Sequence, residues 1–451
     1  MDIEGKRILV IGLGRTGEAV CDFLLEHKAR VKVTEIRNTE ELNGTIQRFK
    51  EKGIEVEAGK HTIEFMLDTD MIVKSPGVPH LPQVQQAREK DIKVMSEVEL
   101  AFHFLKGKII GVTGSNGKST TASLIHKILS DGGLPSYLAG NIGTPLIRFA
   151  DNSREDHIYV TELSSFQLED IQYLHAPVSI ILNITPDHLD WHDSFDAYYS
   201  AKKNLLLNQN ENDMAILNRD DPLVWSVQKK TGAQVFGFSR KKRPVPGCYL
   251  NKGWIVVAHP DEVKLLKPSE IPLHGIHNQE NVMASAIVGI THGLSPSQIA
   301  QSIQSFKGLE HRLEKVATIK GIDFFNDSKA TNVDATLKSV TSFDQKIILI
   351  LGGRDKGGNF KKLKKSLKKH VRKAILIGEA REKIADSLRR SISWETAASL
   401  KEAVRNGYDA AQPGNVVLLA PACTSFDMFQ NFEERGDIFK KEVRELEKEI
   451  G

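Results

Sequence analysis

The sequence predicts an α/β fold built from several parallel sheets. Short apolar runs rich in β-branched residues alternate with longer amphipathic stretches, which is typical of strands covered by helices on both faces. A length of 451 residues corresponds to about three domains. Two glycine-rich turns each follow such a run and precede a helical stretch, which also favours this fold class. The predicted strands are 7–11, 31–34, 71–73, 109–113, 158–161, 178–182, 214–217, 346–351, 374–377 and 416–420.

Composition excludes several classes of protein. Hydrophobic residues make up 40% and charged residues 26%, which is the balance of a globular chain rather than of a disordered or collagen-like one. The 61 basic and 58 acidic residues leave a net charge of +3, so neither nucleic acid nor a membrane is expected as the main partner. We expect no signal peptide and no membrane span. Cys21, Cys248 and Cys423 lack C-x-x-C spacing, which favours a reducing compartment without a zinc cage or disulfides.

A lysine-rich stretch at 361–369 could be taken for a nucleic-acid site. Its two leucines, Leu363 and Leu367, are four residues apart and therefore share one helix face. We predict an amphipathic helix whose lysines are solvated.

The first glycine-rich turn, at 12–17, reads Gly-Leu-Gly-Arg-Thr-Gly. It follows a predicted strand and opens a predicted helix, so a phosphate can approach the helix N-terminus closely. Glu35 ends the next strand, where an acid that binds a ribose is expected. Taken alone, the turn indicates a dinucleotide-dependent oxidoreductase. It could equally hold another nucleotide diphosphate, or simply pack a helix on a strand.

The second turn, at 113–120, reads Thr-Gly-Ser-Asn-Gly-Lys-Ser-Thr and lies between a predicted strand and a predicted helix at 122–129. In such a loop the backbone N–H groups bind phosphates, the lysine reaches the β- and γ-phosphates, and the following hydroxyl binds Mg²⁺. Val112 stands where the usual pattern begins with glycine. The turn indicates a triphosphate site. A hydride-transferring enzyme has no use for ATP, whereas a ligase whose acceptor carries a nucleotide needs both turns.

Two further side chains are expected beside the second turn. Glu162 follows one predicted strand, and His188 follows the next, within Asp-His-Leu-Asp at 187–190. Because the carboxyl ends of parallel strands meet at one edge of a sheet, Glu162 is well placed to hold the Mg²⁺ of an ATP site. His188 alone could be structural, but its position favours a role as a metal ligand.

Together, the segments 113–120, 162–167 and 187–190 resemble the Mur ligases of peptidoglycan synthesis, which are related to folylpolyglutamate synthetases. Three C-terminal segments, 326–332, 352–358 and 421–427, resemble the branch of that family that adds D-glutamate. The resemblance spans the chain in the family's order. It implies an N-terminal Rossmann-like domain at 1–107, a central P-loop ATPase-like domain with a parallel sheet at 108–309, and a C-terminal Rossmann-like domain at 310–451.

The resemblance also implies the reaction. ATP would activate the carboxylate of UDP-N-acetylmuramoyl-L-alanine as an acyl phosphate, and D-glutamate would displace the phosphate. The first turn would then bind UDP rather than a nicotinamide. The implied contacts of the sugar nucleotide are Gly14, Arg15, Thr16, Glu35, Arg37 and Asn141, with 75–77 near the same site. Ile36 stands where the family often has threonine.

The remaining roles implied by the resemblance concern ATP, two Mg²⁺ ions and the amino acid. Lys202 matches a lysine that is carbamylated in the family, with Lys203 as a competing candidate. The ATP contacts would be Gly114, Ser115, Asn116, Gly117, Lys118, Ser119, Thr120, Asn278, Asn281, Arg312 and Asp327. The metal ligands would be Ser119, Thr120, Glu162, His188 and Lys202, and the catalytic set Lys118, Glu162, His188 and Lys202. Lys329, Thr331, Lys356, Ser425 and Phe432 would hold D-glutamate or orient the acyl phosphate.

We also expect a monomer of the bacterial cytoplasm whose third domain closes during the cycle. Rival hypotheses are a sister Mur ligase, a folylpolyglutamate synthetase, an NAD-dependent dehydrogenase and an inactive nucleotide-binding regulator. The N-terminal domain argues against the folate enzyme, and the presence of Lys118, Glu162 and His188 argues against the regulator.

Overall fold

The computed structural model describes residues 1–37, 40–78, 80–186, 191–192, 194–355, 357–389 and 391–450. Within these residues the chain forms three sheets of five, nine and six strands. It divides into two compact units, one of residues 1–270 with 280–304 and one of residues 271–279 with 305–451. The first two sheets lie in the first unit and the third lies in the second unit.

The N-terminal sheet is parallel, in the order β3-β2-β1-β4-β5. Its central strand β1 is flanked by β2 and β4, so the strand order reverses there, and ligands bind at the carboxyl ends of strands at such a point. The strands are β1 (Arg7–Ile11), β2 (Arg30–Glu35), β3 (Glu55–Ala58), β4 (Met71–Lys74) and β5 (Lys93–Ser96). The helices are α1 (Arg15–Glu26), α2 (Glu40–Glu51), α3 (Ile63–Leu67), α4 (Pro82–Glu89) and α5 (Glu97–Phe102).

The central sheet has the order β14-β13-β12-β11-β10-β9-β6-β8-β7. It is parallel from β7 to β12, and β13 and β14 extend it in antiparallel fashion. The strands are β6 (Lys108–Thr113), β7 (Ser136–Gly140), β8 (Ile158–Glu162), β9 (Val178–Ile181), β10 (Met214–Asn218), β11 (Gln234–Ser239), β12 (Gly247–Asn251), β13 (Trp254–Ala258) and β14 (Glu262–Leu266). The helices are α6 (Lys118–Asp131), α7 (Ser165–Glu169), α8 (Phe195–Lys203), α9 (Pro222–Ser226), α10 (His277–Thr291) and α11 (Pro296–Gln304).

The C-terminal sheet has the order β15-β16-β20-β17-β18-β19 and is parallel except for the β15–β16 pair. The strands are β15 (Glu314–Ile319), β16 (Ile322–Asn326), β17 (Ile347–Gly352), β18 (Val371–Ile377), β19 (Ser393–Thr396) and β20 (Val416–Leu419). The helices are α12 (Val333–Val340), α13 (Lys364–His370), α14 (Arg381–Leu388), α15 (Leu400–Ala410) and α16 (Phe432–Ile450).

The predicted fold class is confirmed, with three α/β domains whose sheets are mainly parallel. Every predicted strand is present, and the largest shift is at β18, which begins at Val371 rather than Ala374. An equal number of strands in the described residues was not predicted from the sequence. Most of these strands are short, or have charged residues between their apolar ones. The lysine-rich stretch forms a 3₁₀ turn followed by α13, with Leu363 and Leu367 fully buried.

A single hydrophobic core joins the N-terminal and central domains. Leu100 and Ala101 of α5 share this core with Leu146 and Ile147, which follow β7. The buried carboxylate of Glu97 accepts a hydrogen bond from the Ile147 N–H at 2.7 Å. None of the three cysteines forms a disulfide, and no helix in the described part of the chain is long and apolar enough to cross a membrane.

Candidate active site

The first glycine-rich turn borders a cavity at the carboxyl edge of the N-terminal sheet. The cavity has a volume of about 510 Å³ and lies where β1 leads into α1, at the reversal of strand order. All six residues predicted to contact a sugar nucleotide line it, namely Gly14, Arg15, Thr16, Glu35, Arg37 and Asn141. The structure therefore brings this whole group together around one space.

The three glycines of the first turn serve different purposes. Gly12 has a φ of +90°, and a Cβ there would lie 2.9 Å from the side chain of Val78. A Cβ on Gly17 would lie 1.9 Å from the Gly12 carbonyl oxygen. Both glycines are therefore required by the protein's own packing. Gly14 has an ordinary φ of −90° and no protein atom within 4 Å of a built Cβ, so its missing side chain leaves space in the cavity.

Glu35 lies buried at the cavity wall and accepts hydrogen bonds from several donors. Its carboxylate accepts from the Leu13 N–H at 2.6 Å, from the Arg37 N–H at 2.9 Å and from the Arg37 guanidinium at 3.0 Å. Burial acts to raise the pKa of Glu35, but these hydrogen bonds outweigh it and hold that pKa below its ordinary value. Glu35 is thus an ionised acceptor that orients Arg37 beside the cavity.

His61 lines the same cavity and was not indicated by the sequence. Its Nδ1 lies 2.7 Å from the Thr34 hydroxyl, and burial lowers its pKa. An isolated histidine between β3 and α3 belongs to no motif, so only the fold could place it here.

The second turn, residues 113–120, lies between β6 and α6 and is called the phosphate loop below, after its predicted role. Gly117 caps α6 with a φ of +90°, and a Cβ there would lie 2.5 Å from the Asn281 Oδ1 atom. The Asn183 side chain accepts from the Asn116 N–H and donates to the Asn116 carbonyl, both at 2.9 Å. The helix begins at Lys118, four residues before the predicted start at 122. The loop is therefore fixed by neighbouring strands rather than by its own residues alone.

Two lysine amines converge on the start of this loop. Lys118 donates to the carbonyls of Gly114 at 2.9 Å and Ser115 at 3.2 Å. Lys202, on α8 and only 2% exposed, donates to the same Gly114 carbonyl at 2.9 Å. Lys203, the competing candidate, instead lies 4.4 Å from the ring of Tyr199. Of the two neighbouring lysines, Lys202 is the one that reaches the phosphate loop.

Glu162 is the last residue of β8. It pairs with Val112 of β6, which lies just before the second turn. Its carboxylate is 2% exposed, and its Oε1 accepts from the Asn141 side chain at 2.9 Å. Its Oε2 is buried without a hydrogen-bond partner among the described residues. A buried carboxylate oxygen without a partner is costly. Mg²⁺ takes oxygen ligands, so this oxygen and the buried hydroxyls of Ser119 and Thr120 are of the donor type that fits that ion.

Asn141 connects the two sites of the first unit. It lines the N-terminal cavity, and its side chain donates to Glu162 beside the phosphate loop. A ligand that fills the cavity and extends past Asn141 would bring its far end to the Glu162 carboxylate. His188 and Lys356, both predicted site residues, lie outside the described residues.

A separate cluster of His80, Glu169 and His192 has ligand atoms within 4.8 Å of one another. Two histidines and one carboxylate are ligands typical of zinc rather than magnesium. The Nε2 of His192 also lies 2.9 Å from the Ser165 hydroxyl. The oxygen donors at Glu162 are therefore the better match for a nucleotide-bound Mg²⁺.

Asn278 and Asn281 lie in the first turn of α10 and are both buried. The Asn278 side chain donates to the His274 carbonyl at 2.7 Å. The Oδ1 atom of Asn281 would lie 2.5 Å from a Cβ at Gly117, so Asn281 packs against the phosphate loop. Asn281 is thus placed at the loop, whereas Asn278 belongs to the second compact unit.

The three C-terminal motifs meet at one edge of the third sheet. They follow β16, β17 and β20, which are adjacent and parallel. The Ala422 N–H donates to the Ala330 carbonyl at 2.9 Å, and Arg354 and Thr424 exchange backbone hydrogen bonds at 3.0 Å. The predicted amino-acid ligands within these loops and at the start of α16 are Lys329, Thr331, Ser425 and Phe432. The Lys329 amine lies 5.4 Å from the centre of the Phe432 ring.

Asp327 is buried at the end of β16. Its carboxylate accepts from the Ser339 hydroxyl and from the Leu313 N–H at 3.3 Å. Burial raises the pKa of Asp327 to about 6, against the opposing effects of Ser339 and the Arg312 guanidinium. Arg312 and Asp327, both predicted to contact ATP, therefore interact electrostatically within the second unit.

The chain matches three domain families in succession. Residues 6–96 match the family described as Mur ligase MurD-like, N-terminal domain. Residues 112–289 match Mur ligase middle domain, and residues 311–423 match Mur ligase, glutamate ligase domain. Two similar curated proteins, both named UDP-N-acetylmuramoylalanine–D-glutamate ligase, come from Koribacter versatilis and a Thermoanaerobacter species. They are 44% and 43% identical, over 99% of this chain and 99% and 100% of their own lengths.

Solved structures show the same fold at low identity. UDP-N-acetylmuramate-alanine ligase from Thermotoga maritima has a TM-score of 0.61 at 18% identity, covering 98% of this chain and 100% of its own. A pseudomurein peptide ligase type C from Methanothermus fervidus has a TM-score of 0.60 at 19% identity with the same coverage. Folylpolyglutamate synthase from Mycobacterium tuberculosis covers only 76% of this chain and 94% of its own, with a TM-score of 0.56 and 13% identity.

Proposed function

The chain belongs to the Mur ligase family, and from that premise we propose that it joins D-glutamate to UDP-N-acetylmuramoyl-L-alanine in peptidoglycan precursor synthesis, using ATP. The observation that carries the proposal is Asn141, which lines the N-terminal cavity and donates to Glu162 beside the phosphate loop. A sugar nucleotide in that cavity would present its L-alanine carboxylate to the γ-phosphate of ATP. The relatives that share this activity's name match the chain from end to end.

In the first step the L-alanine carboxylate attacks the γ-phosphorus, and ADP leaves. In the second step the amine of D-glutamate attacks the acyl carbon, phosphate leaves, and an amide forms with loss of a proton. Several anions must be brought together, so positioning and charge neutralisation carry most of the catalysis. Lys118 would move from the Gly114 and Ser115 carbonyls to the β- and γ-phosphates.

Mg²⁺ bound at this site would neutralise charge on the phosphates and the acyl carboxylate. We propose that Glu162, with Ser119 or Thr120, holds one ion. A second ion would be held by His188 and by Lys202 in carbamylated form. Asn278, Asn281, Arg312 and Asp327 would complete the contacts of ATP.

The C-terminal loops would bind the amino acid. A dicarboxylate needs cations and hydroxyl donors, and Lys329, Thr331 and Ser425 lie on loops that share one sheet edge. Lys356 and Phe432 would complete this set. We further propose that the protein acts as a monomer in the bacterial cytoplasm on small-molecule substrates.

Substrate specificity tests the proposed function directly. We expect D-glutamate to support phosphate release in the presence of ATP and UDP-N-acetylmuramoyl-L-alanine. L-Glutamate, meso-diaminopimelate and D-alanyl-D-alanine should not. A phosphate-release assay with this amino-acid panel provides the measurement. Turnover with one of the other three would assign a sister activity, and hydride transfer to NAD would assign the dehydrogenase alternative.

Gly14→Val tests the N-terminal cavity. The backbone of Gly14 is extended, with φ −90° and ψ −172°, and a Cβ meets no protein atom, so valine is tolerated by the fold but projects into the cavity. We expect the KM for the sugar nucleotide to rise about tenfold or more, since even one displaced favourable contact of about 1.4 kcal/mol has that effect. Initial rates at varied sugar nucleotide measure it.

Gly44→Val is the matched control for that variant. Gly44 lies in α2 of the same domain, is exposed, and has no atom within 4 Å of a built Cβ. The control should leave the KM unchanged. An unaltered KM in a folded Gly14→Val protein would show that the cavity does not hold the sugar nucleotide.

A further inference from the structure

Arg435, on α16, is a fully buried cation beneath the C-terminal loops. It is 0% exposed. Its Nε donates to the Ser328 hydroxyl at 2.9 Å, its Nη2 to the Ser328 carbonyl at 2.8 Å and its Nη1 to the Cys423 carbonyl at 3.3 Å. The guanidinium therefore ties the 326–332 loop to the 421–427 loop.

The hydrogen-bond acceptors around Arg435 are electrically neutral. Among the described residues no carboxylate forms an ion pair with it, and its hydrogen-bond acceptors are two carbonyls and one hydroxyl. Burial lowers the pKa of Arg435 to about 10, so it stays protonated at neutral pH. The Asp427 carboxylate of the 421–427 loop opposes this effect of burial, so Arg435 is coupled to that loop electrostatically as well as by hydrogen bonds.

The surrounding contacts extend this link to further elements. The Ser328 hydroxyl, which accepts from Arg435, donates to the Phe432 carbonyl at 2.8 Å at the start of α16. A Cβ built on Gly353 would lie 3.3 Å from the Arg435 Nη1 atom, so the loop after β17 also packs against the guanidinium. One side chain therefore contacts all three loops that carry the proposed amino-acid ligands.

We propose that Arg435 is a positioning residue for the amino-acid site. It holds the loops of Lys329 and Ser425 in register, so that these two side chains keep their places around a dianionic substrate. This inference rests on the proposed function, because it takes D-glutamate as the ligand of these loops. Lysine can replace arginine here only in part, since the compact ammonium lacks the planar fork of donors with which the guanidinium reaches both loops.

Arg435→Met tests the proposal in the full-length enzyme. We expect the KM for D-glutamate to rise about tenfold or more, which is the value of one lost charge-assisted hydrogen bond. The KM for UDP-N-acetylmuramoyl-L-alanine should change by less than about twofold, because the residues that line its proposed cavity all belong to the first compact unit, whereas Arg435 belongs to the second. Arg435→Lys should fall between the wild type and Arg435→Met. Steady-state kinetics with each substrate varied, together with thermal unfolding, give these values.

Arg444→Met is the control, because it removes the same charge from an exposed position of the same helix. If Arg435→Met does not fold, Ser328→Ala removes one acceptor of Arg435 and should still raise the KM for D-glutamate selectively. An unchanged D-glutamate KM in the folded variant would overturn the proposal. The proposal would also be overturned if Arg435→Met raised the KM values of all substrates equally and lowered the unfolding temperature. A wild-type enzyme that does not use D-glutamate would instead contradict the proposed function.

Discussion

Replacing Lys118 by alanine should abolish phosphate release while leaving the sugar nucleotide bound almost as tightly as in the wild type. The Lys118 amine lies on the phosphate loop after β6, whereas the proposed UDP cavity borders the N-terminal sheet. Loss of one preorganised charge at a reacting phosphate costs about a hundredfold or more in rate. Phosphate release measures the first effect, and isothermal titration with UDP-N-acetylmuramoyl-L-alanine measures the second.

Lys127→Ala provides the matched control. Lys127 lies on the same helix and forms an ion pair with Asp131 at 2.9 Å, a surface pair that contributes little to stability. This variant should keep its activity and its affinity for the sugar nucleotide. If Lys118→Ala reduced phosphate release and weakened the binding of the sugar nucleotide to the same extent, the assignment of two separate sites would be wrong.

The sequence could predict which residues gather because parallel strands bring their carboxyl ends to one edge. The turn after β1, the loop after β6 and Glu162 at the end of β8 each follow an apolar run that is visible in the sequence. The strand order then places the loop after β6 next to Glu162, because β6 pairs directly with β8. The same reasoning explains why 326–332 and 421–427 meet, since they follow the adjacent strands β16 and β20.

Other features depend on packing between segments that are distant in sequence. The hydrogen bond from Asn141 to Glu162 joins the turns after two neighbouring strands, and a sequence motif specifies no side-chain rotamer. Arg435 lies in a helix with many charged residues, where a buried arginine is indistinguishable from an exposed one. His61 belongs to no motif. These residues are distinguished by what the folded chain does with them: Asn141 by its hydrogen bond, His61 by its place on the cavity wall and Arg435 by its burial.

Lys202 is the residue on which the structure adds most to the sequence. The spacing from the tyrosines favoured Lys202 over its competitor Lys203, and of the two only Lys202 is buried, with its amine 2.9 Å from the Gly114 carbonyl. It lies four residues after Tyr198 on α8, and its amine is 4.8 Å from that ring. Carbamylation converts the amine of a lysine into an anionic carbamate. The product carries anionic oxygens, which an ion such as Mg²⁺ accepts as ligands.

Lys202→Ala should therefore lose most of its activity, by about 10- to 100-fold, the range found when groups that support a metal site are removed. Added acetate should restore part of the lost rate, because a small carboxylate can fill the space left by the side chain and supply the missing oxygen ligands. Phosphate release with and without acetate measures both effects. Labelled bicarbonate followed by carbon-13 NMR detects the carbamate in the wild type.

Lys203→Ala separates this role from a general effect of losing a cation from α8. Its amine packs on the Tyr199 ring, away from the Gly114 carbonyl that Lys202 contacts, so the variant should retain near-normal turnover and show no response to acetate. Lys202→Ala with normal turnover in buffer free of CO₂ would show that the carbamate is not needed. A large loss that acetate does not relieve would instead assign Lys202 to holding the phosphate loop through the Gly114 carbonyl, because acetate cannot replace that hydrogen-bond donor.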